Sequence, residues 1–197
     1  MGAAEKIRTI SVMDYLEGEK VSRVKQEYLD GEVYAMAGSS VRHNRIAGNI
    51  FNRLDQHLGD GPCEAFMSDI KLRVTPTKFY YPDVLVACEE PDTDPYYRTD
   101  PRLVVEVTSP STEQIDRDEK LSAYKNIKSL KEYVIVSQTT VRVEVYRRKR
   151  GESWEYEELT DLANELHLKS INLSLPLAQI YRRVKTPTPK SRPRVVE

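Results

Sequence analysis

The chain predicts an α/β domain built around a mixed central β-sheet, and three observations carry that prediction. A strand, a helix and a strand follow one another closely at residues 102–108, 116–128 and 132–136, the order that favours a right-handed crossover within one sheet. The run 80–88 is apolar on both faces, as a central strand is. A long amphipathic helix, with Ile46, Ala47, Ile50, Leu54 and Leu58 at helical spacing, is available to cover such a sheet.

The elements follow in chain order. Ser11 and Asp14 have the spacing of a helix cap, and a short helix ending near Gly18 is expected. Residues 26–34 read as a hairpin because Asp30-Gly31 accepts the positive φ angles of a tight turn. Ser39 or Ser40 caps the long helix, with Gly59 and Gly61 placed to stop it and His43 in its first turn. Strands are expected at 65–74 and 80–88, then a loop over 89–101, the strand 102–108 and a turn at Ser109-Pro110-Ser111-Thr112. Residues 141–146 and 154–159 alternate apolar and polar side chains around the tip Arg148-Lys149-Arg150-Gly151, as a hairpin with one wet face does.

Composition sets the outer limits. With 197 residues, 39% hydrophobic and 31% charged, the chain supports one domain, taken as residues 1–184. Residues 185–197 scatter three prolines among charges without apolar periodicity and read as a disordered basic tail. The net charge of -1 announces no nucleic-acid partner, although Arg182, Arg183, Lys185, Lys190, Arg192 and Arg194 concentrate positive charge near the end. No apolar stretch approaches the ~20 residues of a membrane helix, and the first ten residues lack a secretion signal. Cys63 and Cys88 have no metal-ligand or redox spacing, so free thiols in a reducing cytoplasm are expected. Repeats, glycine-rich phosphate loops and nucleophile elbows are absent from the sequence.

Three charged residues fall where a fold would present them. Pro82 cannot donate to a ladder, which marks Asp83 as the start of a strand. Glu106 interrupts Leu103-Val104-Val105-Glu106-Val107, and burying a carboxylate there costs several kcal/mol unless a cation, a metal or a donor compensates. Lys120 shares a helix face with Ala123, Tyr124 and Ile127, so the stripe turned to the sheet begins with an ammonium group. A surfacing strand end and a snorkelling lysine are the plainer accounts of Asp83 and Lys120 taken singly.

Pro82-Asp83, Glu106-Val107-Thr108 and the Asp116…Lys120…Tyr124 helix together resemble the PD-(D/E)XK restriction-endonuclease-like superfamily. The order Glu27, Asp30-Gly31, Met36, His43, Asp69, Pro82-Asp83, Glu106-Val107, Ser109 to Thr112, Asp116, Lys120 and Glu132-Tyr133 is similar to the Uma-two family within it, over about residues 11–181. The superfamily's lysine two residues beyond the glutamate is Thr108 here; in the narrower family that lysine is placed on the following helix, which Lys120 fits. The resemblance implies a restriction-endonuclease-like core with added hairpins and Mg²⁺-dependent hydrolysis of DNA phosphodiesters, Mn²⁺ substituting, by a homodimer. It implies Asp83, Glu106 and the Val107 carbonyl as metal ligands, and Lys120 as the amine that completes the catalytic set.

Further candidates are Glu27 from the hairpin, and His43, Asp69 and Asp116 at the border of the site; each is also explained as a surface acid, a satisfied histidine or a helix-start charge. Asp69-Ile70-Lys71 offers a rival acid and lysine pair on a separate strand. Arg148, Lys149 and Arg150 could hold a phosphate backbone or simply keep a hairpin tip from aggregating. Two rival functions stand beside the nuclease: a binding module that lost turnover, for which Thr108 is the motivating feature, and an assembly protein whose buried charges form an ion network.

Overall fold

The computed structural model describes residues 9–88, 94–109 and 112–185. The loop's residues 89–93, Pro110 and Ser111 of the turn, and residues 186–197 of the predicted tail lie outside that range. The chain begins with α1 (Val12–Glu19), whose Ser11 Oγ accepts from the Asp14 N–H at 3.1 Å. It continues through β1 (Gln26–Leu29) and β2 (Glu32–Ala35), joined by Asp30 and Gly31 with φ of 51° and 103°. A Cβ on Gly31 would lie 2.9 Å from Thr9, so the turn needs glycine for space as well as for angle. Ser40 caps α2 (Val41–Leu58), and Gly59 at φ 49° ends it.

The expected strand over 65–74 is two strands. Ser68 takes φ 59° between β3 (Glu64–Met67) and β4 (Lys71–Thr75), and the two halves join different sheets. The expected strand over 80–88 divides likewise, because Pro82 interrupts β5 (Lys78–Tyr80) before β6 (Val84–Ala87). There follow β7 (Tyr97–Arg98) and β8 (Pro101–Thr108), then a helical stretch made of α3 (Glu113–Ile115), a π-helical turn (Asp116–Lys120) and α4 (Leu121–Lys125). After β9 (Glu132–Ser137), β10 (Val143–Arg148) and β11 (Trp154–Leu159) come β12 (Glu165–Leu168), β13 (Leu173–Pro176) and α5 (Leu177–Ile180), which sequence patterning did not reveal.

The main sheet runs β11-β10-β9-β8-β6-β3, with β8 and β9 parallel and the other neighbours antiparallel. Its first face, carrying Val84, Val86, Leu103 and Val105, packs against Ile46, Ile50 and Leu54 of α2. The opposite face carries Leu85, Val104 and Ile135 and is covered by Tyr124, Ile127 and Leu130. A second sheet, β2-β1-β5-β4-β7, holds Tyr28 and Phe79 against Tyr15 of α1. Burying one such side chain contributes about 1.5–3 kcal/mol, so the two faces of the main sheet supply the bulk of the apolar stabilisation.

Cys63 and Cys88 are joined by a disulfide, which corrects the expectation of free thiols. β3 and β6 pair with Glu64 opposite Ala87, and continuing that antiparallel register by one step brings the two cysteines face to face. Their separation of 25 residues gave no hint of this.

Candidate functional site

The acids meet because of the β6–β8 register. Val84 lies opposite Val105, so Asp83, one step before β6, faces Glu106, and both belong to the sheet face beneath the π turn and α4. Asp83 Oδ2 accepts from the Val107 N–H at 2.7 Å, and its backbone carbonyl accepts from the Ser68 N–H at 3.1 Å. The carboxylate is thereby fixed across the two strands that carry the pair.

The amine comes from above. Lys120 is 7% exposed, and its Nζ lies 3.2 Å from Glu106 Oε1, 3.2 Å from Glu27 Oε1 and 3.6 Å from Asp116 Oδ1. Tyr124, one turn further along, donates its hydroxyl to the same Glu106 oxygen at 2.9 Å. Asp116 and Lys120 bound the π turn and both are buried, a geometry that π segments often bring to functional sites. Tyr133 OH donates to the Asp116 carbonyl at 3.0 Å and anchors the turn to β9.

Two further residues arrive from separate layers. Glu27 on β1 accepts from the Tyr81 N–H at 3.2 Å while facing Lys120, which ties the second sheet to the segment carrying Asp83. His43 reaches from the first turn of α2 to place Nε2 3.1 Å from Asp83 Oδ2.

The charge balance is negative. Glu27, Asp83, Glu106 and Asp116 surround Lys120 and His43. Burial alone would lower the Lys120 amine, but Glu106, Glu27 and Asp116 hold it well above its ordinary range, so it stays an ammonium. Burial pushes the Glu106 carboxyl up; Lys120 opposes this, and Asp116, Asp83 and Glu27 add to it. Asp116 is raised in the same way by burial, against Lys120 and the Thr112 hydroxyl. For His43, burial works downward, yet the hydrogen bond and charge of Asp83 and the Val107 backbone raise the imidazole overall. A site with more anions than cations favours a further positive charge.

Among the described residues, no three His, Cys, Asp or Glu side chains converge as a ready cage for a metal ion. Two carboxylates with a backbone carbonyl and water nevertheless make up the hard-oxygen set that suits Mg²⁺, which keeps several waters and needs only one or two carboxylates. Asp83, Glu106 and the Val107 carbonyl match that donor chemistry.

Asp83, Glu106, Lys120, Glu27, His43 and Asp116 are thus brought together, and Asp69 is not. Asp69 is exposed, its side chain 77% accessible, and it pairs with Lys25 because the Ser68 kink turns the chain out of β3. Its rival partner Lys71 is buried against the Tyr81 hydroxyl at 3.2 Å. At the hairpin tip, Arg148 donates to the carbonyls of Lys125, Ile127 and Leu130 at 2.7–2.8 Å and lies over the Trp154 ring, so its guanidinium closes the end of α4. Lys149 pairs with Glu155 at 3.4 Å, while Arg150 is exposed. The residue that sequence reasoning missed as part of the site is Tyr124, whose position four residues after Lys120 on the sheet-facing stripe was the available signal.

A mixed sheet with acids at the junction of two central strands, and a lysine delivered by the crossover helix, defines the chain as a restriction-endonuclease-like α/β protein. A crystal structure titled as that of a "putative nuclease belonging to DUF820" from Anabaena variabilis ATCC 29413 shares this fold, with a TM-score of 0.69 over 87% of this chain and 97% of that one at 17% identity. Residues 12–178 match the family model Uma2, described as "Putative restriction endonuclease". The chain belongs to the Uma2 family. Two uncharacterized proteins of Synechocystis, slr1290 and sll1609, are 38% and 34% identical to it; the matches cover 88% and 77% of this chain and 92% and 88% of theirs. No helix among the described residues is long and apolar enough to cross a membrane.

Proposed function

We propose that this protein is a Mg²⁺-dependent endonuclease that hydrolyses phosphodiester bonds of DNA, Mn²⁺ substituting for Mg²⁺. The observation that carries the proposal is the convergence of Asp83, Glu106 and the Lys120 ammonium at one end of the β6–β8 pair, with an excess of negative charge. Asp83 and Glu106, with the Val107 carbonyl, would hold the ion. When bound, such an ion polarises a phosphoryl oxygen and lowers the pKa of a coordinated water. Lys120, held as a cation, offsets charge on the scissile phosphate and orients the attacking water. Asp116 helps fix where that ammonium stands, Tyr124 fixes Glu106 and His43 fixes Asp83; these are positioning residues. Cleavage of both strands of a duplex would use a homodimer, and a cytoplasmic setting accords with this substrate.

Purified protein is expected to nick supercoiled plasmid with Mg²⁺ or Mn²⁺, to stop when EDTA is added, and to lose activity in Asp83→Asn and Glu106→Gln. Cleavage that persists in both variants refutes the assignment.

One observation favours a second reading. Glu106 Oε1 already serves Lys120 and Tyr124, and Asp83 Oδ2 already serves Val107 and His43, so the charges also make a closed network of the kind a purely binding or structural protein would keep. That reading predicts no thermal shift on Mg²⁺ titration at any concentration, together with no cleavage.

A further inference from the structure

A groove of about 760 Å³ runs along the outer side of α2, from Asn44, the residue next to His43, to Gln56. Its lining includes Arg45, Arg53 and Arg182 and no acid. Among the described residues, none of these three arginines is paired with a carboxylate. The rest of the lining is five amides and one glycine, and arginines among amides are the composition that meets phosphate and sugar oxygens.

We infer that this groove is the track for the sugar-phosphate backbone of the substrate strand, leading it to the acids beside His43. The inference rests on the nuclease reading for its ligand and assigns binding to α2 rather than to the β10–β11 tip. Arg45, Asn52 and Gln56 recur at helical intervals on the side of α2 opposite its core residues Ile50 and Leu54, so they form one stripe. From Asn44 to Gln56 the helix rises about 18 Å, the length of roughly five phosphates along one strand of a duplex. Asn49 donates to the carbonyls of Ile180 and Arg182 at 2.8 and 3.0 Å, which straps the segment after α5 to α2 and sets Arg182 on the opposite wall.

Two features of the groove are unfinished from the protein's own side. Gly48 sits in the middle of α2, where glycine weakens a helix, yet a Cβ built there meets nothing within 4 Å. The fold does not need that position empty; a backbone lying close against the helix would. The amide oxygen of Gln179, on the wall that carries Arg182, is buried with no donor. The predicted tip offers less, since Arg148 is spent on carbonyls and Lys149 on Glu155.

The test measures binding by fluorescence anisotropy with the full chain in EDTA, where no turnover is needed, on labelled duplex and single-stranded DNA across a salt series. For a duplex, Arg45→Gln/Arg53→Gln/Arg182→Gln should flatten the slope of log K against log salt by about 2.7, and for a single strand by about 2. Gly48→Leu should raise the melting temperature while weakening binding, a combination that loss of structure cannot produce. Wild-type affinity in both variants, or no binding by the wild type to either DNA, overturns the groove. Binding that depends on the groove in a protein that never cleaves leaves the groove standing and removes the hydrolytic reading. Cleavage with a groove-independent affinity that falls in Arg150→Gln returns the track to the tip.

Discussion

Replacing Lys120 by methionine removes the cation from the centre of the acid cluster. At 3.2 Å and an effective dielectric of 20, one unit charge pair is worth about 5 kcal/mol before desolvation, and Lys120 faces two carboxylate oxygens at that distance and a third at 3.6 Å. Desolvation of buried ions cancels most of this, and breaking a buried pair typically leaves a net loss of about 3–5 kcal/mol, the penalty of carboxylates left uncompensated. For a domain of this size that is a fall in Tm of roughly 6–20 °C. The loss should be partly reversed by adding Glu106→Gln, because the amide still accepts from Tyr124 without needing a counter-charge. Mg²⁺ should raise the Tm of Lys120→Met more than that of the wild type, since the vacated acids gain most from a new cation. Calorimetry of the four proteins of this cycle, with and without Mg²⁺, is the assay. A Lys120→Met variant as stable as the wild type, indifferent to both Glu106→Gln and Mg²⁺, would refute the cluster.

Three other perturbations separate structure from function. Replacing Cys63 and Cys88 together by serine should cost about 3.5 kcal/mol for a loop of this length, and reductant should lower the wild-type Tm and leave the double variant unchanged; equal Tm values would return both residues to free thiols. Arg148→Gln should lower stability in urea by about 2–3 kcal/mol through lost charge-assisted bonds to carbonyls, without altering DNA affinity; the reverse pattern would make it a phosphate contact. Burial holds the Lys71 amine below its ordinary range, so its charged form is a cost that disappears as pH rises through the folded value. Lys71→Met should therefore match or exceed wild-type stability at neutral pH, lose that alkaline dependence and still nick plasmid. Loss of nicking in Lys71→Met with activity kept in Lys120→Met would transfer the amine's role to Lys71.

Patterns confined to neighbouring residues were legible in the sequence. The Ser11 and Ser40 caps, the Asp30-Gly31 turn, the apolar stripe of α2 and the parallel crossover from β8 to β9 all follow from local chemistry and hydrophobic period. Features set by pairing between distant strands were not. Ser68 at positive φ is not a residue that signals a break, so β3 and β4 read as one strand, and the disulfide depends on a register that sequence does not display. Arg148 shows the same limit for charge: a basic run looks free until the carbonyls of residues 125, 127 and 130 are seen to gather around it. Residues 165–176 were missed because β12 and β13, four residues each like β1 and β2, are joined through Lys169 to Asn172 without the Asp-Gly signal that marks the first hairpin.

The site was legible for the opposite reason. A carboxylate inside a valine run, and a lysine leading an apolar helix stripe, are each anomalous against the pattern around them, and an anomaly in a periodic pattern is visible without knowing what lies across from it. What the sequence left open was from which element an ammonium reaches Glu106, given Thr108 on its own strand. On β8, residues 106 and 108 share one face, and α4 packs over that same face, so an ammonium can reach Glu106 either along the strand or down from the helix. The helix route asks more of the backbone: the chain must turn from β8 and still bring Asp116, Lys120 and Tyr124 inward. The π turn at Asp116–Lys120 adds the extra residue per turn that lets both of its charged ends face the sheet, with Tyr124 following four residues on. Thr108 is buried on the same face as Glu106 and brings no charge there, and the ammonium that meets Glu106 is the one the wide helical turn delivers from Lys120.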